Sequence, residues 1–353
     1  MKTSALEYTL PEDLIAQTPV EPRDSSRLLV LHRESGALEH RVFREIEAYL
    51  RPGDLLVANE SRVIPARMFG RKEPGGGKVE LLLLRQLGAT RWRGLMGGAR
   101  TRAGTRVRIT AGERPSALWA EVVETGERGE RVLEFSAPVE DHFDELGMMP
   151  LPPYIHQKLA DPERYQTVYA RTPGSAAAPT AGLHFTPELL LRLRDRGVRL
   201  AYVTLHVGLD TFRPITEARI EDHAIHSEWC ALDTATAEAI NRARLEGGRV
   251  VAVGTTSARV LETAARHGLL QPPDGACPWR PLAPFEGFTR LYITPGFEFR
   301  VVDALITNFH LPQSSLLALV MAFVGEEYIR RAYAAAIEAR YRFFSFGDAM
   351  LMV

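Results

Sequence analysis

The stretch from Arg62 to about Ser136 constrains this chain most. KVELLLL, RWRGLMG, TRVRIT, LWAEVVE and RVLEFS are short runs, several alternating in polarity, with glycine-bearing turns between them. No helical period appears anywhere in the block. Period-two alternation buries one face of a strand, and many short strands at regular spacing fold as a small antiparallel barrel or sandwich. Pro74-Gly75-Gly76-Gly77 reads as a hairpin tip or loop within it.

The flanking sequence behaves differently. SRLLVLHR (26–33) and LLVAN (55–59) read as strands, with a short helix over 43–50 and a stop at Arg51-Pro52-Gly53-Asp54. After Pro150 strands and helices alternate. The helices are expected at 187–196, 236–245, 257–267, 314–323 and 326–341, and the strands at 198–205, 249–254 and 301–307. Such alternation predicts βαβ units. The expected fold class is therefore α/β. A sandwich domain with a mainly parallel sheet spans 1–61 and 148–353, and a small antiparallel β-barrel domain is inserted at 62–147.

The chain has 353 residues and a 45% hydrophobic share, enough for two or three domains with a sizeable core. Its formal net charge of −1 rules out a global basic field for nucleic acid. Lys2, Lys72, Lys78 and Lys158 are its four lysines, so nearly all positive charge is arginine, the better fork for phosphate and carboxylate. Cys230 and Cys277 are too few for a disulfide framework or a four-thiolate zinc site. MKTSALEYTL lacks the apolar core of a signal peptide, and Leu316 to Val324 is too short to span a bilayer. A cytoplasmic protein without membrane partners is expected.

The densest chemical signal is GSAAAPTAGLHFT (174–186), rich in small residues, hydroxyls and a histidine. Thr186-Pro187-Glu188 follows as N-cap, first-position proline and first-turn acid. RVVAVGTTSARVLE reads as strand, glycine, hydroxyls, then helix. Ligands bind at the carboxyl ends of parallel strands, and a helix N-terminus there offers N–H groups to an anion. An ordinary N-cap by Thr256 or Ser257 is the plainer reading. VTLHVGLDTFRPI and TNFHLPQSSLLALVMAF place His206 and His310 at further strand ends. EDHAIHSEW sets His223, His226 and Glu228 close together. On a helix the two histidines would share a face, but no third ligand has suitable spacing, so a polar pocket wall is favoured over a metal site. Arg62, Arg67, Arg71 and Arg171 sit in loops where they could meet phosphates or form a solvated rim.

With these runs assembled, the chain resembles the S-adenosylmethionine:tRNA ribosyltransferase-isomerase family of queuosine biosynthesis over almost its whole length. The resemblance rests on YTLPEDLIAQTPVEPRDSSRLL, DLLVANESRVIPARMFG, GGGKVELLLL, LPPYI, RYQTVYA, GSAAAPTAGLHFT, HVGLDTFRPI, HAIHSEW, RVVAVGTTSARVLE, LYITPGFEF, VVDALITNFHLPQSSLLALVMAF and FSFGDAML. Two positions depart from the family's pattern: Asp210 stands where glycine is expected, and Ile225 where methionine is usual.

The resemblance implies transfer and isomerisation of the ribosyl part of S-adenosylmethionine, a substrate rather than a cofactor. The acceptor is 7-aminomethyl-7-deazaguanine at the wobble position of a tRNA with a GUN anticodon. The products are epoxyqueuosine-tRNA, adenine and methionine, and neither metal nor cofactor is needed. A base takes a proton from C5′, an acid or hydrogen-bond donor assists adenine, and the aminomethyl group attacks as a neutral amine. His184, His206, His226, Glu228 and His310 are the acid/base candidates. Thr180, Gly182, Gly254, Thr255, Thr256, Ser257, Arg259 and Asn308 are candidates for binding the donor, with Phe185 or Phe309 to stack on a base. Arg62, Arg67, Arg71 and Arg171 are candidates for the tRNA. A metal-dependent hydrolase built on His223 and His226, or a non-catalytic RNA-binding module, are the rival classes.

Overall fold

The computed structural model describes residues 1–98, 101–126, 129–208, 214–267 and 281–353. Asp210, Cys277 and Gly268, the residue after the helix expected at 257–267, lie outside the described residues. The chain divides into two compact units: Met1–Ser61, Pro152–Thr172 and Ala178–Val353 form one, and Arg62–Leu151 with Pro173–Ala177 the other.

The larger unit is organised by a nine-stranded sheet. Its order is Phe285–Thr289, Glu228–Leu232, Arg199–Leu205, Leu55–Asn59, Val250–Val253, Ala304–Asn308, Ala349–Met352, Arg27–Leu31 and Leu38–Val42. The sheet is mixed rather than mainly parallel. Four neighbouring pairs are parallel and four antiparallel. The parallel centre follows the expected pattern. Leu55–Asn59 and Val250–Val253 are buried at every position, as strands covered on both faces must be. The antiparallel pairs are Arg27–Leu31 with Leu38–Val42, Arg199–Leu205 with Glu228–Leu232, Glu228–Leu232 with Phe285–Thr289, and Ala304–Asn308 with Ala349–Met352. The chain's last strand, Ala349–Met352, enters antiparallel to Ala304–Asn308 and parallel to Arg27–Leu31.

This topology positions the site. Arg199–Leu205, Leu55–Asn59, Val250–Val253 and Ala304–Asn308 run parallel, so Leu205, Asn59, Val253 and Asn308 end at one edge. Asn308 pairs with Ala349, so the Phe343–Asp348 turn reaches the same edge. At the opposite edge Asp54 and Arg249 tie two central strands together, Nη2 to Oδ2 at 2.6 Å. One core gathers Leu28, Phe43, Ile46, Leu56, Phe185, Leu189, Val251 and Ile306, all buried.

Helix starts obey local chemistry. Thr186 Oγ1 accepts from the Leu189 N–H at 3.1 Å, capping Pro187–Asp195 as expected. Ser314 Oγ accepts from the Leu317 N–H at 3.1 Å, capping Ser315–Val324. The helix Thr255–His267 begins two residues earlier than its polar run implies. Gly254, at φ +92°, turns the strand into it. The segment expected as a helix over 43–50 is instead a 3-10 turn, Phe43–Ala48.

In the smaller unit six strands run antiparallel in the order Glu130–Phe135, Arg91–Gly97, Lys78–Gln86, Arg67–Glu73, Arg106–Ala111 and Arg114–Thr125. Glu130–Phe135 pairs with both Arg91–Gly97 and Arg114–Thr125, so the order closes on itself. The period-two alternation buries Leu81, Val107, Ile109, Ala120, Val122 and Leu133. Pro74-Gly75-Gly76-Gly77 is the turn of a hairpin, closed by Lys72 N–H donating to the Gly77 carbonyl at 2.9 Å.

Candidate active site

Two cavities of the larger unit meet at the first turn of Thr255–His267. Thr255, Thr256 and Leu316 line both. The first N–H groups of a helix have no partner within it, and they carry the positive end of its dipole. Thr256 Oγ1 is buried and has no hydrogen-bond partner among the described residues. A buried hydroxyl in that condition sits ready for a ligand oxygen. Ser257 is different: its Oγ donates back to the Val253 carbonyl at 2.7 Å, so it stabilises the turn rather than facing a cavity.

The first cavity is walled by Tyr154, Thr180, Asn308, His310, Phe344 and Ser345, among others. Thr180 Oγ1 donates to Asn308 Oδ1 at 3.1 Å. The Asn308 amide donates to the Phe344 carbonyl at 3.1 Å and meets His184 Nε2 at 3.2 Å. His184 itself lies behind this wall, its Nδ1 2.7 Å from Ser26 Oγ and its ring stacked on Phe43 at 5.0 Å. Burial, with Arg342 and Arg23 nearby, pushes its pKa down to about 3, so it is neutral. Gly182 is a place of close approach, because a Cβ there would meet Tyr169 Oη at 2.1 Å. His310 is also driven down to about 3 by burial, and its Nε2 pairs with Thr307 Oγ1 at 2.9 Å. Its backbone is held by Tyr333 Oη, which accepts from the His310 N–H at 2.9 Å, and by Tyr8, which donates to its carbonyl.

The second cavity is walled by Ile225, His226, Glu228, Arg259 and Tyr292, among others. Here Glu228 is the hub. Its Oε1 accepts from the Gly208 N–H at 2.9 Å and lies 3.1 Å from His226 Nε2; its Oε2 receives Arg259. Burial alone would raise the Glu228 pKa. The His226 hydrogen bond and the charge of Arg259 outweigh it, and the carboxyl stays below its ordinary value. A carboxylate at Nε2 sets the Nε2–H tautomer of neutral His226 and puts the lone pair on Nδ1. Arg259 also donates to the carbonyls of Leu291, at 3.0 Å, and His226, at 3.0 Å, so its guanidinium is a strut of the wall. Ile225 fills its position as one of the apolar lining residues.

The remaining candidates fall elsewhere. His206 lies beside the first cavity's Val207. Its ring stacks on Trp229 at 5.1 Å, its Nδ1 has no partner among the described residues, and burial lowers its pKa. Phe185 packs edge-on against Phe43 in the core and lines neither cavity. Phe309 borders the first cavity, but its ring is fully buried among Tyr333, Tyr341 and Phe343, at 4.9 Å from the last. The stacking surface expected from these two rings is thus spent on the core. His223 and His226 do not share a helix face: a 3-10 turn, Ile220–Asp222, ends before them, and His223 Nδ1 pairs with Glu217 at 2.9 Å. Of the arginines, Arg67 pairs with Glu80 at 3.0 Å and Arg71 with Glu113, both in the smaller unit, where Arg62 also lies. In the larger unit Arg171 pairs with Glu60 at 2.5 Å and lies over Tyr202 at 5.3 Å.

Tyr154, Phe344, Ser345 and Tyr292 were not among the expected site residues. The first three fall in LPPYI and FSFGDAML and Tyr292 in LYITPGFEF, runs that carry the family resemblance but no obvious chemistry of their own.

A family profile described as queuosine biosynthesis protein matches residues 3–352. The chain is 51% identical to the S-adenosylmethionine:tRNA ribosyltransferase-isomerase of Carboxydothermus hydrogenoformans, over 100% of both chains. It is 53% identical to the protein of that name from Symbiobacterium thermophilum, again over 100% of both. Among solved structures it is similar to the S-adenosylmethionine tRNA ribosyltransferase of Thermotoga maritima, at 41% identity and a TM-score of 0.56, with 99% of this chain and 100% of that one covered.

Proposed function

The chain belongs to the queuosine biosynthesis protein family, and from that premise we propose that it is the enzyme that moves the ribosyl group of S-adenosylmethionine onto 7-aminomethyl-7-deazaguanine in a GUN-anticodon tRNA. The products are epoxyqueuosine-tRNA, adenine and methionine. The observation that carries this reading is the meeting of two cavities at the Thr255–His267 N-terminus, with the buried Thr256 hydroxyl lacking a partner among the described residues.

The donor is a zwitterionic amino acid joined through a sulfonium to a sugar and a purine. The helix N-terminus and the Thr255 and Thr256 hydroxyls suit its carboxylate and ribose oxygens. His226 suits the base that takes the C5′ proton, because Glu228 orients its ring and stabilises the imidazolium that forms. His310, held neutral, suits hydrogen bonding to the departing adenine rather than charge donation. His184 acts through Asn308, and Arg259 through Glu228. The arginines of the smaller unit and Arg171 suit RNA phosphates, with the salt sensitivity such contacts confer.

The test is turnover. Purified protein, S-adenosylmethionine and an anticodon stem-loop carrying the 7-aminomethyl-7-deazaguanine base are mixed without added metal, and products are followed by mass spectrometry. Adenine, methionine and an RNA heavier by the cyclic ribosyl unit are expected together. Folded protein that binds the RNA but releases neither adenine nor methionine would overturn the reading in favour of an RNA-binding module. Metal-dependent cleavage of the donor with no gain in RNA mass would favour the hydrolase class.

A further inference from the structure

We propose that Phe344, with Tyr154, forms the aromatic wall that receives the purine of the ribosyl donor. The inference rests on the S-adenosylmethionine reading above and adds to it a specificity-determining residue that no local sequence pattern singles out.

Phe344 has φ +70°. A bulky L-residue there is sterically disfavoured and persists only where its surroundings over-determine it. The surroundings do so here. The Phe344 N–H donates to the Phe309 carbonyl at 3.2 Å. The Phe344 carbonyl accepts from the Asn308 amide at 3.1 Å and from the Gly347 N–H at 3.0 Å. Asp348 closes the turn, accepting from the backbone N–H groups of Arg342 at 2.8 Å and Arg27 at 2.9 Å. Gly347 leaves no slack, because a Cβ would meet the Arg342 carbonyl at 2.4 Å. The turn spends this much restraint on one side chain, and that side chain lines the first cavity.

What Phe344 presents is a surface for a flat ring. Tyr154 lies beside it, ring centroids 4.9 Å apart and planes at 54°, and the Tyr154 and Ser345 hydroxyls are 2.7 Å apart. Val207, Leu311 and Leu316 add apolar area to the same cavity. Thr255 and Thr256 add the helix N-terminus, which suits oxygens and negative charge. A cavity apolar and aromatic in one part and hydroxyl-lined in another matches a donor whose purine is flat and whose remaining atoms are polar. Stacking against an aromatic face is the general means of holding a base. Phe185 and Phe309 do not compete for this role, since their rings are committed to the core.

The experiment measures binding of S-adenosylmethionine, adenine and methionine separately to the full chain by calorimetry, for wild type, Phe344→Leu, Phe344→Tyr and Phe344→Gly. Phe344→Leu keeps apolar bulk and is expected to weaken S-adenosylmethionine and adenine by about tenfold or more while leaving methionine unchanged. Phe344→Tyr keeps the ring and should bind both within a few-fold of wild type. Phe344→Gly accepts φ +70° without strain, so it provides a folded variant lacking the ring, expected to bind adenine as weakly as Phe344→Leu. Wild-type affinity for adenine in Phe344→Leu, or an equal loss for methionine, overturns the proposal and leaves the family reaction standing. A wild-type protein that binds neither S-adenosylmethionine nor adenine overturns the functional reading itself.

Discussion

The side-chain amide of Asn308 lies 3.2 Å from Nε2 of His184 and donates to it, so that histidine's lone pair is committed to a neighbour rather than to substrate. The remaining ring nitrogen, Nδ1, then carries the proton and donates to Ser26 Oγ at 2.7 Å. The arrangement makes His184 a positioning residue that fixes Asn308 and, through it, Thr180 and the Phe344 carbonyl. His184→Ala should cost about 1–3 kcal/mol of stability, the penalty for stranding buried polar groups. It should raise KM while leaving the shape of the pH–rate profile intact. Chemical denaturation and a kcat/KM profile from pH 6 to 9 check both. A flattened limb in that profile would falsify the supporting role, because it would mark His184 as a proton carrier.

Acid should destabilise this protein earlier than its carboxylates alone would. His184 and His310 are each pushed from the ordinary 6.5 down to about 3, chiefly by burial. In the unfolded chain both regain the ordinary value. Between those two values the unfolded state binds more protons, so stability is complete above the unfolded pKa and falls as pH drops toward the folded one. Each histidine adds a slope of up to about 1.4 kcal/mol per pH unit in that window. Asp54 and Glu228 act lower. Burial favours their neutral forms, but their partners hold both below the ordinary carboxylate range, so their stabilisation is lost only as pH falls through those depressed values. Denaturant titrations at pH 7.5, 6.0 and 5.0 should show a steady decline, and His310→Asn should remove one proton's share of the slope. Equal stability at all three pH values would sink the prediction.

Glu228 and Arg259 should behave as one unit. Glu228 is buried, Arg259 is largely buried and paired with it directly, and Glu228 also orients His226. Removing one member of a buried ion pair strands the other charge, at a cost of about 3–5 kcal/mol. Glu228→Gln is therefore expected to lose both stability and turnover. Glu228→Gln combined with Arg259→Met should recover much of the stability but none of the turnover, since His226 still lacks its carboxylate. A double-mutant cycle read by denaturation and by adenine release separates the two effects. Additive stability losses in the double variant would show that the pair is not coupled.

The chemistry-bearing ends of the fold were legible from sequence because they follow local rules. LLVAN and RVVAVG are apolar apart from Asn59 and Arg249 and give the buried parallel strands Leu55–Asn59 and Val250–Val253, and Thr186 and Ser314 cap their helices. His226, Glu228 and His310 do gather at the strand-end cavities. The sheet's antiparallel pairs were not legible. Ala349–Met352 is too short to show a period, and its place between Ala304–Asn308 and Arg27–Leu31 is a tertiary choice. His184 and Phe185 show the limit for side chains, since a histidine beside a phenylalanine reads the same whether it faces a ligand or Ser26 and Phe43. Phe344 was invisible for a related reason: a left-handed aromatic is the opposite of what local preference proposes.

Gly254 gives the sharpest separation of geometry from stability. It joins strand to helix at φ +92°, and an added Cβ would meet only ordinary neighbours, Thr256 Oγ1 at 3.5 Å and Ala181 Cβ at 3.6 Å. Space therefore exists for Gly254→Ala, and its cost is conformational, about 1–3 kcal/mol. Relaxing that strain rotates the first turn of Thr255–His267, whose N–H groups and Thr256 hydroxyl border both cavities. Turnover should fall by about tenfold or more, in line with the loss of a positioned donor. Gly53 is the matched control. It also has φ +92° and no atom within 4 Å of a built Cβ, but it precedes Leu55–Asn59 at the far edge of the sheet. Gly53→Ala should cost similar stability and leave adenine release at the wild-type rate. Equal turnover losses in the two variants would mean that Gly254 matters only for folding and that the helix N-terminus does not hold the donor.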